Sequence, residues 1–177
     1  MRALPILSGL VAATSASQAL HYAVPSSFKA AASNCTLPAV YVVTDFTTYT
    51  DKEDDNLNTV SFEFSDPDTK INTTCQRNST SSPGGPSKNR YTCNNDNVAF
   101  IYQTTGVAGL TVAERACPNE NTRFEASGLI TPELDCADSA AGTLCQAKLK
   151  SLRGNFSSLQ PIPPKAPTRR DRLVWRG

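Results

Sequence analysis

Alternating apolar and polar residues are clearest in the segment 58–65 and predict a β-strand there. Val60, Phe62 and Phe64 fall on one side of an extended chain, and the polar residues between them fall on the other. This two-residue period is typical of a strand that is buried on one face. We therefore expect this strand to contribute one face to an apolar core.

The residues after this strand predict a turn and a cross-link. The sequence Asp-Pro-Asp at 66–68 favours a turn, because proline fixes φ and aspartate bonds to its own backbone. An extended run then leads to Cys75, and a polar loop at 78–87 precedes Cys93. We predict a disulfide between Cys75 and Cys93, and a mobile surface loop between them.

The same pattern recurs along the chain and predicts an all-β domain. Short runs rich in β-branched and aromatic residues are separated by turn residues, and no window after residue 20 keeps a helical apolar period with caps at both ends. The further predicted strands are 41–46, 98–102, 110–115, 124–129 and 146–152. Strands at intervals of about 10 to 20 residues favour a single antiparallel β-barrel or sandwich.

Two stretches between these strands are predicted loops. Residues 51–55 are mostly acidic but lack the spacing of a calcium-binding loop, so we expect a solvated loop. Residues 137–144 are small and lie between Cys136 and Cys145, which also predicts a loop.

The N-terminus indicates secretion. Residues 3–13 are apolar and too short to span a bilayer, and Ser17 and Ala19 suit a cleavage site, so residues 1–19 are predicted to be a signal peptide. Residues 20–34 then form a lead-in segment without a clean period. No later apolar run approaches the length of a membrane span, so we expect a soluble extracellular protein.

Charge separates the body of the chain from its end. Residues 20–147 carry a net charge of −7, and residues 148–177 carry +7. Prolines end the regular pattern near Pro161, so residues 161–177 are predicted to be a disordered, basic tail. Arg169 and Arg170 form a plausible dibasic processing site there.

Glycosylation and cysteine content support the same compartment. Four Asn-x-Ser/Thr sequons are candidate N-glycosylation sites, and the six cysteines are expected to be bridged in an oxidising environment. The candidate asparagines are Asn34, Asn72, Asn78 and Asn155.

The sequence offers little catalytic chemistry. His21 is the only histidine and lies beside the expected cleavage point, where it cannot hold the geometry of a catalytic triad or a zinc site. A carboxylate pair for glycoside hydrolysis stays open, because four glutamates lie on or near predicted strands. They are Glu63, Glu114, Glu125 and Glu133. We predict a non-enzymatic protein without metal or cofactor and, given its acidic body, without nucleic acid as a partner.

The order of these features resembles the Alternaria major-allergen-like family of small secreted fungal proteins. The similarity extends from Cys35 to Pro164. The segments that carry it are Cys35, 41–46, 58–68, Cys75, 90–93, 98–100, 110–112, 125–128, Cys136 and Cys145.

This resemblance implies a fold and a set of bridges. It implies one β-barrel of antiparallel strands over about residues 35–160, with Cys75–Cys93 and Cys136–Cys145 as intrachain bridges. In the founding allergen an N-terminal cysteine links two chains, so Cys35 either forms such a homodimer or pairs with Cys117 in a monomer. Six cysteines allow fifteen pairings.

For function, the resemblance implies a protein that contacts a plant host. Such proteins are effector- or elicitor-like and act by protein–protein contact in the apoplast, which makes a host extracellular protein the expected partner. One alternative is a cell-wall or carbohydrate-binding module in which Tyr91 or Tyr102 stacks on sugars. Another is a carrier of a small apolar ligand.

Overall fold

The computed structural model describes residues 19–84, 89–118 and 124–162. Almost all of the predicted signal peptide, most of the predicted tail and part of the loop after Cys75 therefore lie outside the described residues. The elements in the described part are α1 (Lys29–Ala32), β1 (Val40–Asp51), β2 (Thr59–Asp66), β3 (Ile71–Arg77), β4 (Tyr91–Thr92), β5 (Val98–Gln103), β6 (Gly109–Arg115), β7 (Phe124–Ile130), β8 (Leu134–Asp138), β9 (Gly142–Ala147), β10 (Ser151–Asn155) and β11 (Ser158–Pro161), with a short 3-10 helix at Asp55–Leu57.

The strands form two antiparallel sheets. The first sheet has the order β3-β2-β1-β9-β8, with β10 also paired to β1, and the second has the order β11-β7-β6-β5-β4. Aromatic side chains from both sheets meet between them, as where Phe62 of β2 lies edge-on to Phe100 of β5 at 5.0 Å between ring centroids. The predicted antiparallel, disulfide-bonded β fold is confirmed, and its form is a sandwich of two open sheets.

Strand β1 pairs with three other strands. Its first part pairs with β10, from Val40 opposite Asn155, and its last part pairs with β9, from Thr47 opposite Gln146. Between these parts the pairing with β2 shifts by a bulge. Asp45 lies there with φ of 54°, and its N–H donates to the carbonyl of Lys150 at 3.2 Å. This bulge lets one continuous strand change partners.

The core is filled by the inward-facing residues of the strands, which alternate with outward-facing residues along each strand. Val60, Phe62 and Phe64 are buried, as their two-residue period predicts. Tyr41 of β1 is also buried, and its ring packs on Phe156 with centroids 4.9 Å apart. The interior between the sheets is therefore occupied by aromatic rings.

Two predictions around β9 were wrong. The predicted loop at 137–144 is mostly strand, because Cys136 and Cys145 are directly opposite each other in the hairpin of β8 and β9. The predicted strand at 146–152 is broken at Lys148–Lys150, where the backbone bends beside the β1 bulge. Alternating residues on both sides of this bend conceal it in the sequence.

The sequence also missed ordered structure at both ends of the domain. Strand β11 pairs with β7, although its four residues end at Pro161 and show no pattern. Within the predicted lead-in segment, Phe28 is buried and packs on Phe124 with centroids 4.5 Å apart. Strand β11 is held by pairing to a distant strand, and the lead-in segment is held by a few side chains. Neither kind of contact produces a local period in the sequence.

Phe62→Ala should lower the free energy of unfolding by about 3–5 kcal/mol, because it removes a buried ring from the contact between the sheets. Urea unfolding followed by circular dichroism measures this loss. Leu149→Ala is the control, since Leu149 is exposed and should lose less than about 1 kcal/mol. A loss of control size at Phe62 would contradict its place in the core.

Candidate functional sites

Three disulfides join separate parts of the fold. Cys75 of β3 is bonded to Cys93, which follows β4, so this buried bridge connects the two sheets. Cys136 is bonded to Cys145 across the β8–β9 hairpin. Cys35 is bonded to Cys117 after β6 and ties the segment before β1 to the second sheet. Within the described residues no cysteine is free.

The four sequon asparagines occupy different positions. Asn72 of β3 and Asn155 of β10 are both exposed on the outer face of the first sheet. Asn34 is exposed beside the Cys35 bridge. Asn78 follows β3, and its Oδ1 accepts hydrogen bonds from the backbone and hydroxyl of Thr80 at 3.0 and 2.8 Å. Two candidate sites thus share one face of the sandwich.

Three of the four candidate catalytic glutamates have separate environments. Glu63 accepts a hydrogen bond from Thr74 on the outer face of the first sheet. Glu133 is exposed, 3.7 Å from Lys148. Glu125 of β7 is bound by Arg90 on the outer face of the second sheet. The fold gives each of these three carboxylates a different partner, so no two of them form an acid–base pair.

The outer face of the second sheet is crossed by a charged pair. Arg90 precedes β4, yet its two terminal nitrogens donate to both Glu125 carboxylate oxygens on β7 at 2.9 and 2.7 Å. Strands β5 and β6 lie between them, where Ala99 and Ala113 are paired. A shallow cavity of about 190 Å³ lies beside the bridge. The two charges of this bridge neutralise each other and have small side chains between them, and Arg115 of β6, opposite Glu125, adds an exposed charge to the same face.

The predicted sugar-stacking tyrosines are both half-buried. The Arg77 guanidinium lies 5.7 Å from the centroid of Tyr91, over its ring, so it occupies the face that a sugar would use. Tyr102 is edge-on to Phe46 with centroids 5.3 Å apart. It lines a polar groove of about 380 Å³ together with Tyr49. Tyr102 therefore borders a space that could hold a sugar.

A pair of carboxyl groups lies inside the sandwich. Asp66 ends β2 and is 1% exposed, and Glu114 of β6 is fully buried. Both Glu114 oxygens and Asp66 Oδ2 have no hydrogen-bond partner, and the same is true of Asp68 Oδ2 and Thr69 Oγ1 in the following turn. Buried oxygens without partners are costly when charged, so this cluster favours bound protons.

The pKa values of the pair show this preference. Burial, and after it the nearby charge of Asp66, raise the pKa of Glu114 to about 8. Burial also raises the pKa of Asp66, although its Oδ1 accepts from the N–H groups of Asp68 and Thr69 at 2.6 and 3.0 Å. At neutral pH the folded protein therefore retains a proton on this pair.

Sequence reasoning missed the pair although a signal exists. Asp66 lies two residues after Phe64 in the inward series of β2, and Glu114 lies two residues after Val112 in that of β6. Each series thus ends with an inward acid. Polar residues at strand ends are usually read as turn or solvent positions, which conceals this placement.

In residues 19–84, 89–118 and 124–162 no cluster joins three side chains that could hold a metal ion. No helix in the same part of the chain is long and apolar enough to cross a membrane.

Cys75→Ser should lower the free energy of unfolding by about 2–5 kcal/mol, because the bridge joins the two sheets and limits the unfolded chain. Thermal and urea unfolding of the oxidised protein measure this loss. An unchanged melting temperature would contradict the Cys75–Cys93 bond.

The protein should be less stable at pH 8 than at pH 5. A raised folded pKa gives stability that is complete below the unfolded pKa of Glu114 and is lost as pH rises through the folded value of about 8. We expect the free energy of unfolding to fall by roughly 1–3 kcal/mol over this range. Urea unfolding of Glu114→Gln should show a smaller fall, and the exposed control Glu63→Gln should match the unmodified protein.

Comparison with known proteins identifies the fold. The sequence model of the family described as Alternaria alternata allergen 1 matches residues 43–152. A crystal structure of Alternaria alternata allergen Alt a 1 matches with a TM-score of 0.50 and 12% identity, over 73% of this chain and 93% of that chain. A second crystal structure of this major allergen has a TM-score of 0.48 and 13% identity, over 71% and 96% of the two chains. No curated protein matches significantly.

The family match covers 110 of the 177 residues and includes β1 from Val43 onward. It also includes Asp66, Glu114 and the Cys75–Cys93 and Cys136–Cys145 bridges. The structural match adds a shared fold at low identity. The chain therefore belongs to the Alternaria alternata allergen 1 family.

Proposed function

We propose that this protein is a secreted, non-enzymatic effector of allergen type that acts by contact with a host extracellular protein. The observation that carries the proposal is membership of the Alternaria alternata allergen 1 family. The interior offers little room for a carried ligand, because it is filled by rings such as Tyr41, Phe62 and Phe100.

Secretion is part of the proposal. The predicted signal peptide over residues 1–19 directs the chain to an oxidising compartment, where three disulfides are stable. The four sequons become glycosylation candidates in the same compartment. A protein–protein role requires a stable surface outside the cell, which these bridges supply.

The outer face of the second sheet is the proposed contact surface. Glycans at Asn72 and Asn155 would cover the outer face of the first sheet, whereas none of the four sequons lies on strands β4 to β7. The second sheet also offers apolar side chains at its surface, including Ile101 and Leu129. Exposed apolar groups beside neutralised charges are typical of protein interfaces.

A carbohydrate-binding role is the second candidate. The polar groove beside Tyr102 is lined by hydroxyl and amide side chains, including Asn58 and Gln103, which suit a neutral polyhydroxylated ligand. It shares no lining residue with the cavity beside the Arg90–Glu125 bridge, so the two roles can be separated by mutation. In this case the protein would be retained on chitin or glucan.

A pull-down from plant apoplastic fluid tests the leading proposal. The mature oxidised protein should capture a saturable host protein, identified by mass spectrometry. Leu129→Glu should reduce that capture at least about tenfold, because it places a charge within an apolar contact. Leu144→Glu is the matched control, since Leu144 is similarly exposed, at 45% against 43%, but lies on the β8–β9 hairpin.

The controls distinguish the candidates. Equal loss of capture in both variants would contradict the proposed face. Absence of any saturable partner, together with retention on wall polysaccharide that Tyr102→Ala abolishes, would favour carbohydrate binding. Glycan removal before the pull-down should leave capture unchanged, because the proposed face carries no sequon.

A further inference from the structure

The buried carboxyl pair faces across the sandwich. Asp66 comes from the first sheet and Glu114 from the second, and each affects the titration of the other. A single proton between them allows one carboxyl to donate to the other. When both are charged, they repel each other, and of their four oxygens only Asp66 Oδ1 accepts hydrogen bonds, from backbone N–H groups.

The N-terminal segment (residues 19–37) borders the turn that follows β2. Residues 34–36 line a cavity of about 700 Å³ together with Asp68 and Thr69. Burial raises the pKa of Tyr22, and the charges of Asp66, Glu114 and Asp68 raise it further. Its hydroxyl donates to the carbonyl of Pro38 at 2.5 Å. Tyr22 also packs on the core. The segment thus borders the one group of acids that lies inside the sandwich in the described part of the chain.

This segment is held differently from the strands. Its backbone hydrogen bonds, such as that from Phe28 N–H to the Pro25 carbonyl at 2.9 Å, stay within it. Contact with the sheets comes from side chains, mainly Tyr22, Val24 and Phe28, and from the Cys35–Cys117 bond. A unit with few buried contacts and no strand pairing can open without unfolding the sheets.

We propose that the Asp66–Glu114 pair is a pH-sensitive latch: while it holds a proton the N-terminal segment stays closed, and when both acids are charged the segment opens and uncovers Phe28 and Phe124. The Cys35–Cys117 bond keeps the open segment attached. Opening therefore changes the surface of the protein while leaving its sandwich intact.

The charges around the latch support this direction. From the β2 end and the following turn, the charges of Asp66 and Asp68 raise the pKa of Glu114, and they also raise that of Tyr22 in the N-terminal segment. Lys70 follows the same turn, but its ammonium donates to the Pro67 carbonyl at 2.6 Å and is exposed. The ion pairs Arg90–Glu125 and Lys148–Glu133 lie elsewhere. Loss of the proton thus adds negative charge to a site that is already acidic.

Hydrogen–deuterium exchange of the secreted, oxidised protein tests the latch. The exchange times at pH 5.0 and pH 8.5 are corrected for the intrinsic rate of amide exchange, which is faster at the higher pH. Peptides from residues 19–37 should open at least about tenfold more at pH 8.5, because the open form binds fewer protons. Peptides from β2 and β6 should stay protected at both values, since the sheets remain paired.

Variants separate the latch from general alkaline instability. Glu114→Gln, which keeps the shape without the charge, should hold the segment closed at both pH values, and Glu63→Gln should open as the unmodified protein does. Asp66→Asn is the second variant if Glu114→Gln does not fold, and it should also reduce the response to pH. An unchanged response in both latch variants, or no response in the unmodified protein, would overturn the proposal.

A divalent cation is the alternative occupant that the experiment distinguishes. Calcium chloride and EDTA are added separately at pH 8.5. If the proton controls the latch, neither should change the exchange of residues 19–37 by more than about twofold. Closure on addition of calcium would overturn the proposal and indicate that a cation neutralises the two carboxylates.

Discussion

The fold depends on β1 and the aromatic ring that it places between the sheets. Tyr41 fills the space beside Phe156, and the neighbouring strands approach so closely that Gly154 has no room for a Cβ next to the ring. The bulge at Asp45 then lets β1 leave β10 and pair with β9. One strand thus orders the whole first sheet, and its inward rings set the distance to the second.

Covalent bonds and buried charge act on the same sandwich in opposite ways. The Cys75–Cys93 bond connects the sheets and stabilises their contact. The Asp66–Glu114 pair lies between the sheets and destabilises the folded protein when both groups are charged. Packed aromatic rings, such as Phe62 against Phe100, stabilise the same contact between the sheets. The covalent bond between the sheets and the pH-sensitive carboxyl pair therefore lie in the same core.

The two outer faces differ in ways that bear on function. The first carries two sequon asparagines, Asn72 and Asn155, and the second carries the Arg90–Glu125 bridge over small side chains. Glycans on one face would leave the other available for contact. The latch lies at neither face but under the N-terminal segment, so contact and pH response use separate parts of the molecule.

The sequence by itself determined the strand class, most strand positions and the inward residues of β2, because a two-residue period depends only on local geometry. It also indicated the family through the order of cysteines and strands. Only the tertiary structure decided that 137–144 is a hairpin, that β11 pairs with β7 and that Phe28 belongs to the core. These features depend on contacts between distant residues. The meeting of Asp66 with Glu114 is of the same kind, since 48 positions separate them in the chain and only the stacking of two sheets brings them together.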